Sequence, residues 1–185
     1  MSTLFVNNLN TASGTTITVP TGKKVVVTDQ GGITAPGGVV NTFSSSISGG
    51  ASNSSTSFVK FITAGTYTTT VANSKILVMV DIATQVGNPG GASHLGVYEL
   101  RHSVDSYGSS LIRFVHANYR DASANNGWNQ PTPTFSALHA ANQSAGTSIE
   151  YQIWGKCPTG GGSIYVNDAW GHASGGTFLV QEIAP

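Results

Sequence analysis

The chain has 185 residues, a length that fits one compact domain with a short appended segment and can bury a core without disulfides or metals. Charged residues make up 9% of it and cancel to a formal net charge of zero, against about 25% charged in an ordinary soluble domain. The basic residues are scattered apart from Lys23-Lys24, so the electrostatic footprint of a nucleic-acid binder is missing. Ser, Thr, Asn, Gln and Gly must supply the polar surface, and so little charge favours association between chains.

The longest strongly apolar run, Ile76 to Val80, is far short of a membrane span, and no membrane insertion is expected. Met1-Ser2-Thr3 opens no basic and then apolar leader, so no signal peptide is expected. Cys157 stands alone, which excludes an intrachain disulfide and a four-cysteine zinc site. Cytoplasmic synthesis and a surface-like composition are reconciled in a virus particle, whose parts need no secretion. The virion, assembled from chains made in a host cytoplasm, is the expected location.

In chain order, Thr15 to Val19, Pro20-Thr21-Gly22 and Val25 to Thr28 read as two strands around a turn, followed by Gly31-Gly32 and Pro36-Gly37-Gly38. This segment has too few large apolar residues for a core of its own, so residues 1–38 are expected to form a β arm that pairs with copies of itself or docks on a neighbour. Val39 to Thr56 is Ser- and Gly-rich, consistent with a strand and a loop at Gly49 to Ser55. Ser57 to Ile62 reads as a strand, Ala64-Gly65-Thr66 as a tight connection, and Tyr67 to Val71 as the next strand. Ile76, Val78, Val80 and Ile82 alternate with Lys75, Leu77, Met79 and Asp81, the pattern of a central strand buried on one face and partly covered on the other.

Further strands are legible at Leu95 to Arg101, Leu111 to Asn118, Ile149 to Trp154, Ser163 to Val166 and Thr177 to Ile183. Gly87-Asn88-Pro89-Gly90-Gly91 and Pro158-Thr159-Gly160-Gly161-Gly162 separate them as turns. Gly, Pro or β-branched residues interrupt most windows of helical length. The expected fold is all-β: an antiparallel β-sandwich of the jelly-roll kind over residues 39–185, preceded by the short β arm.

The run "SGTTITVPTGKKVVVTDQGGITAPGG", with "SKILVMVDIAT", "TSIEYQIWGK", "GGSIYVN" and "TFLVQEIAP", resembles segments of fibre-like and decoration structural proteins of marine tailed phages of the cyanophage type. The resemblance is one of pattern and order over most of the chain. It implies a C-terminal tumour-necrosis-factor-like jelly roll, a homotrimer, and a role in the virion beside other capsid or tail proteins. An extended repetitive shaft and a large tail-anchoring domain are missing, which favours a short fibre, spike or appendage, or a capsid decoration protein, over a long tail fibre.

The residues argue against catalysis. His94, His102, His116, His139 and His172 show no i, i+2 pair on a strand and no ligand spacing, and neither metal nor cofactor is expected. His102 lies near Asp105, but no Gly-x-Ser-x-Gly elbow accompanies them. Carboxylates for glycoside cleavage, Glu150 and Asp168 among them, are few. Cys157 reads as a buried small side chain.

A binding reading has better material. Trp128 stands between Asn126 and Asn129 in "NNGWNQP", and Trp170 follows Asp168 in "NDAWGH". A ring with adjacent amides offers contact area and hydrogen bonds to a host surface glycan or protein. The competing reading is that each Trp packs under its own loop or in a subunit interface. Trp154, on a predicted strand, reads as core or interface.

Overall fold

The computed structural model describes residues 21–22, 35–87, 94–118, 132–159, 162–169, 172–173 and 175–185. The chain divides into two compact units, Met1–Gly32 and Ile33–Pro185, and every described strand belongs to the second. These strands are β1 (Val39–Ile47), β2 (Ala51–Asn53), β3 (Val59–Thr68), β4 (Lys75–Asp81), β5 (Thr84–Gly87), β6 (His94–His102), β7 (Ser110–Asn118), β8 (Thr134–Ala140), β9 (Ser148–Lys156), β10 (Ser163–Val166), β11 (Asp168–Ala169), β12 (His172–Ala173) and β13 (Gly176–Ile183). The one helical turn among the described residues is a 3-10 turn at Ser103–Asp105, and no described helix is long and apolar enough to cross a membrane.

Two four-stranded antiparallel sheets form the sandwich, in the orders β1-β13-β4-β8 and β3-β9-β6-β7. Every step between these eight strands crosses from one sheet to the other except the β6–β7 hairpin. That order is the double Greek key of a jelly roll. A small sheet, β2-β10-β5, is built from the connections β1–β3, β4–β6 and β9–β13, and so caps one end of the sandwich. At the other end the chain enters beside its own terminus: the Gly37 N–H donates to the Ala184 carbonyl at 3.1 Å, and the Ala184 N–H to that of Gly38 at 2.8 Å.

The alternation read from the sequence sets the core. Ile76, Val78 and Val80 point inward from β4, Phe178 and Val180 from β13, Ile149, Tyr151 and Ile153 from β9, and Tyr98 and Leu100 from β6; all are fully buried. Burial of each is worth about 1.5–3 kcal/mol, which is what fixes the register, since a one-residue slip would turn the whole set to water.

Ala64-Gly65-Thr66 is not the predicted connection: β3 runs straight through it, with register irregularities between Lys60 and Ile62 and between Thr63 and Gly65. The reason lies across the core. A Cβ on Gly65 would stand 2.2 Å from the Phe178 ring, so the glycine serves close sheet-to-sheet packing, not a turn. Gly65→Ala is expected to destabilise the domain by about 1–3 kcal/mol through overpacking, measured as a drop in the urea midpoint; an unchanged midpoint would show that the ring is free to retreat. β8 was not legible either, because its inward residues Phe135, Ala137 and His139 include only one large apolar side chain.

Candidate functional site

Three surfaces of the sandwich carry distinct chemistry. The first is the capped end, where Asn118 and Thr134 flank residues 119–131. Trp128, Asn126, Asn129 and Trp170 lie outside the described residues. Asp168 opens β11, its backbone paired with Ala173. The binding role read from these five residues stays an expectation.

The second surface is the outer face of the β1-β13-β4-β8 sheet. Because Ile76, Val78 and Val80 point inward, Leu77 and Met79 point out, and the register places Gln181 and Leu138 beside Leu77, and Leu179 and Ser136 beside Met79. Thr42 and Ser44 continue these two rows on β1. Leu138 is 58% exposed; Leu77, Met79, Leu179 and Ile183 are partly exposed. The outward charges of β4, Lys75 and Asp81, sit at its two ends, with Asp81 accepting a hydrogen bond from the Thr134 hydroxyl. The face is a flat apolar centre with a hydroxyl rim.

The third surface, the outer face of the β3-β9-β6-β7 sheet, is its opposite. Glu99 on β6 is buried between two guanidinium groups: Arg101 donates to its Oε2 from Nε and Nη2 at 2.9 and 2.6 Å, and Arg113 on β7 approaches Oε1 from Nε and Nη2 at 2.7 and 2.5 Å. The Arg101 guanidinium also lies 4.8 Å from the ring centroid of Phe58 and 4.9 Å from that of Trp154. Lys156 and Arg113 approach the same Phe58 ring, at 4.7 and 5.8 Å.

A chain of hydrogen bonds extends this network along β9. Trp154 Nε1 donates to Gln152 at 2.9 Å, and the Gln152 amide donates to Glu150. Glu150 also accepts from the Tyr107 hydroxyl at 3.1 Å and the Thr63 hydroxyl at 3.2 Å, and faces Lys60 at 3.6 Å. These contacts, the Gln152 amide foremost, hold the Glu150 carboxyl below its ordinary range. Tyr107 is in the left-handed region at φ 63°, a strained conformation for an aromatic residue. Its carbonyl accepts from Arg101 Nη1 at 3.0 Å, so the strained residue is tied into the network at both ends.

Of the two readings of Trp154, core or interface, the core one does not hold: the ring is half-buried on this outer face. Sequence spacing missed the cluster because Lys60, Arg101, Arg113 and Lys156 come from four strands. The one legible signal was the period-two set Glu150, Gln152, Trp154 and Lys156 on β9.

Two interior groups were equally hidden. His102, at the end of β6, and His139, on β8, meet across the sandwich with ring centroids 4.1 Å apart, stacked. His139 Nδ1 shares a hydrogen bond with the Tyr151 hydroxyl at 3.0 Å. His102 Nδ1 is 3.6 Å from Asp105 Oδ1, too long for a hydrogen bond. Glu182, on the last strand, is fully buried and gathers the connection between β3 and β4. Cys157 is buried. Among the described residues no three His, Cys, Asp or Glu side chains converge as a metal site would need.

No family model matches the chain, and no curated protein matches it. Among solved structures it is similar to the VP2 subviral particle of infectious bursal disease virus, at 15% identity over 88% of this chain and 42% of that one, with a TM-score of 0.34. It is similar also to T=1 particles derived from that virus, at 13% identity over 88% and 41%, TM-score 0.30. A third is the structure of the Gt strain of the virus, at 13% identity over 80% and 39%, TM-score 0.30. The chain spans about two fifths of the length of these viral chains. The jelly-roll assignment rests on the strand order.

Proposed function

We propose that this chain is a non-catalytic structural subunit of a virus particle, and that it self-associates, as a homotrimer, through the outer face of the β1-β13-β4-β8 sheet. The observation that carries the reading is that face, with Leu77, Met79, Leu138, Leu179 and Ile183 left partly in water and charge confined to its ends. Each such side chain gains on the order of 1 kcal/mol when covered. A single small patch does not offset the cost of association, but equivalent faces meeting about one axis bury several copies at once. The three-fold number and the setting in a phage particle come from the resemblance of the strand pattern to phage fibre-like and decoration proteins.

In that setting the subunit is a short fibre, spike or appendage contributing to attachment or particle architecture, with residues 1–38 as its anchor. Electron microscopy of the intact particle locates it: a few copies at the tail support the appendage, and density repeating over the head makes it a decoration protein instead. Self-association is tested by light scattering. The wild-type chain is expected at three times its chain mass, and Leu77→Asp with Leu138→Asp at the single-chain mass with an unchanged β-sheet spectrum. A wild-type chain that stays single at micromolar concentration would sink the proposal.

A further inference from the structure

On the outer face of the other sheet, we propose, lies a binding site for an acidic saccharide, a sugar bearing a carboxylate or sulfate group, centred on Arg113, Lys156 and Phe58. The patch is exposed on the single chain, so the inference does not depend on self-association. Four of the eight Lys and Arg residues of the chain come together on this sheet, as Lys60, Arg101, Arg113 and Lys156. Glu150 balances Lys60. Among the described residues Glu99 is the one carboxylate that faces Arg101 and Arg113, and none pairs with Lys156. Among the described residues the Phe58 end of the face therefore keeps an excess of positive charge, on a chain whose formal net charge is zero.

The donors there are already in place. Buried Glu99 fixes both guanidinium groups, and Arg101 is further held against Phe58 and Trp154. An anion arriving at Arg113, whose side chain is 59% exposed, meets the remaining Nη1 side of a guanidinium that Glu99 already orients through Nε and Nη2, which lowers the cost of binding. Lys156, 4.7 Å from the same ring centroid, adds a second cation within reach. The rest of the face suits a sugar better than a peptide or a bilayer. A peptide would add to a strand edge, and a bilayer would take several protruding cations. Here the cationic end continues into the half-buried Trp154 ring and the partly exposed Tyr107 and Thr63 hydroxyls, the groups that meet the apolar and hydroxyl sides of a pyranose.

The test is binding of the full chain to immobilised polysaccharides: a sulfated dextran, a polyuronate, and neutral dextran. Retention on one or both of the charged polymers and none on the neutral one is expected, and the arm that binds identifies the anionic group. Arg113→Gln with Lys156→Gln should weaken binding at least about tenfold, as loss of two charge-assisted contacts does, and Lys156→Gln alone, which leaves both guanidinium partners of Glu99 in place, should weaken it with an unchanged melting temperature. Lys75→Gln, a cation on the opposite sheet, should leave it intact. Equal loss in the Lys75 variant would reduce the effect to net charge and overturn the site. So would failure to bind either charged polymer, or binding to phosphatidylserine vesicles without binding to polysaccharide.

Discussion

Replacing Glu182 by Gln will cost the sandwich about 3–5 kcal/mol, the range expected when a buried, multiply hydrogen-bonded carboxylate is lost. Glu182 is fully buried, yet it accepts from the Tyr67 hydroxyl at 2.7 Å, the Ser74 hydroxyl at 2.6 Å, the Thr70 N–H at 2.9 Å and the Val71 N–H at 3.0 Å, and from the Thr70 hydroxyl. Burial alone would raise its pKa, but these donors reverse the effect and hold it at about 2. Gln keeps the volume and removes the charge, and its own NH2 then confronts groups that are themselves donors. The connection from β3 to β4 loses its tether to the last strand. Thermal unfolding should show a drop of roughly 10 °C, at about 2–4 °C per kcal/mol for a chain of this size. A change of only a degree or two would mean that water takes over the carboxylate's role.

The second large effect is acid sensitivity, centred on the stacked histidines. Burial lowers the pKa of His102 below its ordinary 6.5, and Asp105 opposes that only in part. Burial, and then the neighbouring His102, bring His139 down to about 4. Both groups bind protons more readily in the unfolded chain, so the neutral pair contributes its full stability above pH 6.5 and loses it as pH falls toward 4. For His139 this amounts to about 3 kcal/mol, at roughly 1.36 kcal/mol per pKa unit. Glu182 extends the loss at lower pH, since a carboxylate with a folded pKa of about 2 and an ordinary value of 4.5 gives up its contribution between those limits. Urea denaturation across pH 7 to 4 should therefore show falling stability, and His139→Leu should flatten most of that slope. A slope unchanged in this variant would place the acid-sensitive protons elsewhere.

Much of the fold was legible in the residues themselves. Strict alternation in Lys75 to Asp81 and Ile149 to Trp154 can be satisfied only by strands with one buried face, and both proved to be inner strands of the two sheets. The scarcity of helical spacing and the regular turn signals then left a sandwich as the economical solution. Gly65 was misread because a glycine looks the same in sequence whether it turns the chain or makes room for Phe178. β8 escaped because Ala and His at inward positions carry almost no hydrophobic signal.

The candidate sites divide the same way. The residues determined by themselves that this would be a neutral β protein whose central strand is buried on one face and partly covered on the other, because period and composition are local properties of the chain. Only the tertiary structure decided which side chains would meet. The Arg101–Glu99–Arg113 clamp under Phe58, the His102–His139 stack and the Glu182 tether each join residues from different strands. Their proximity is set by the order β1-β13-β4-β8 over β3-β9-β6-β7. That order follows from the sum of many buried contacts across both sheets, and no spacing within one segment encodes it.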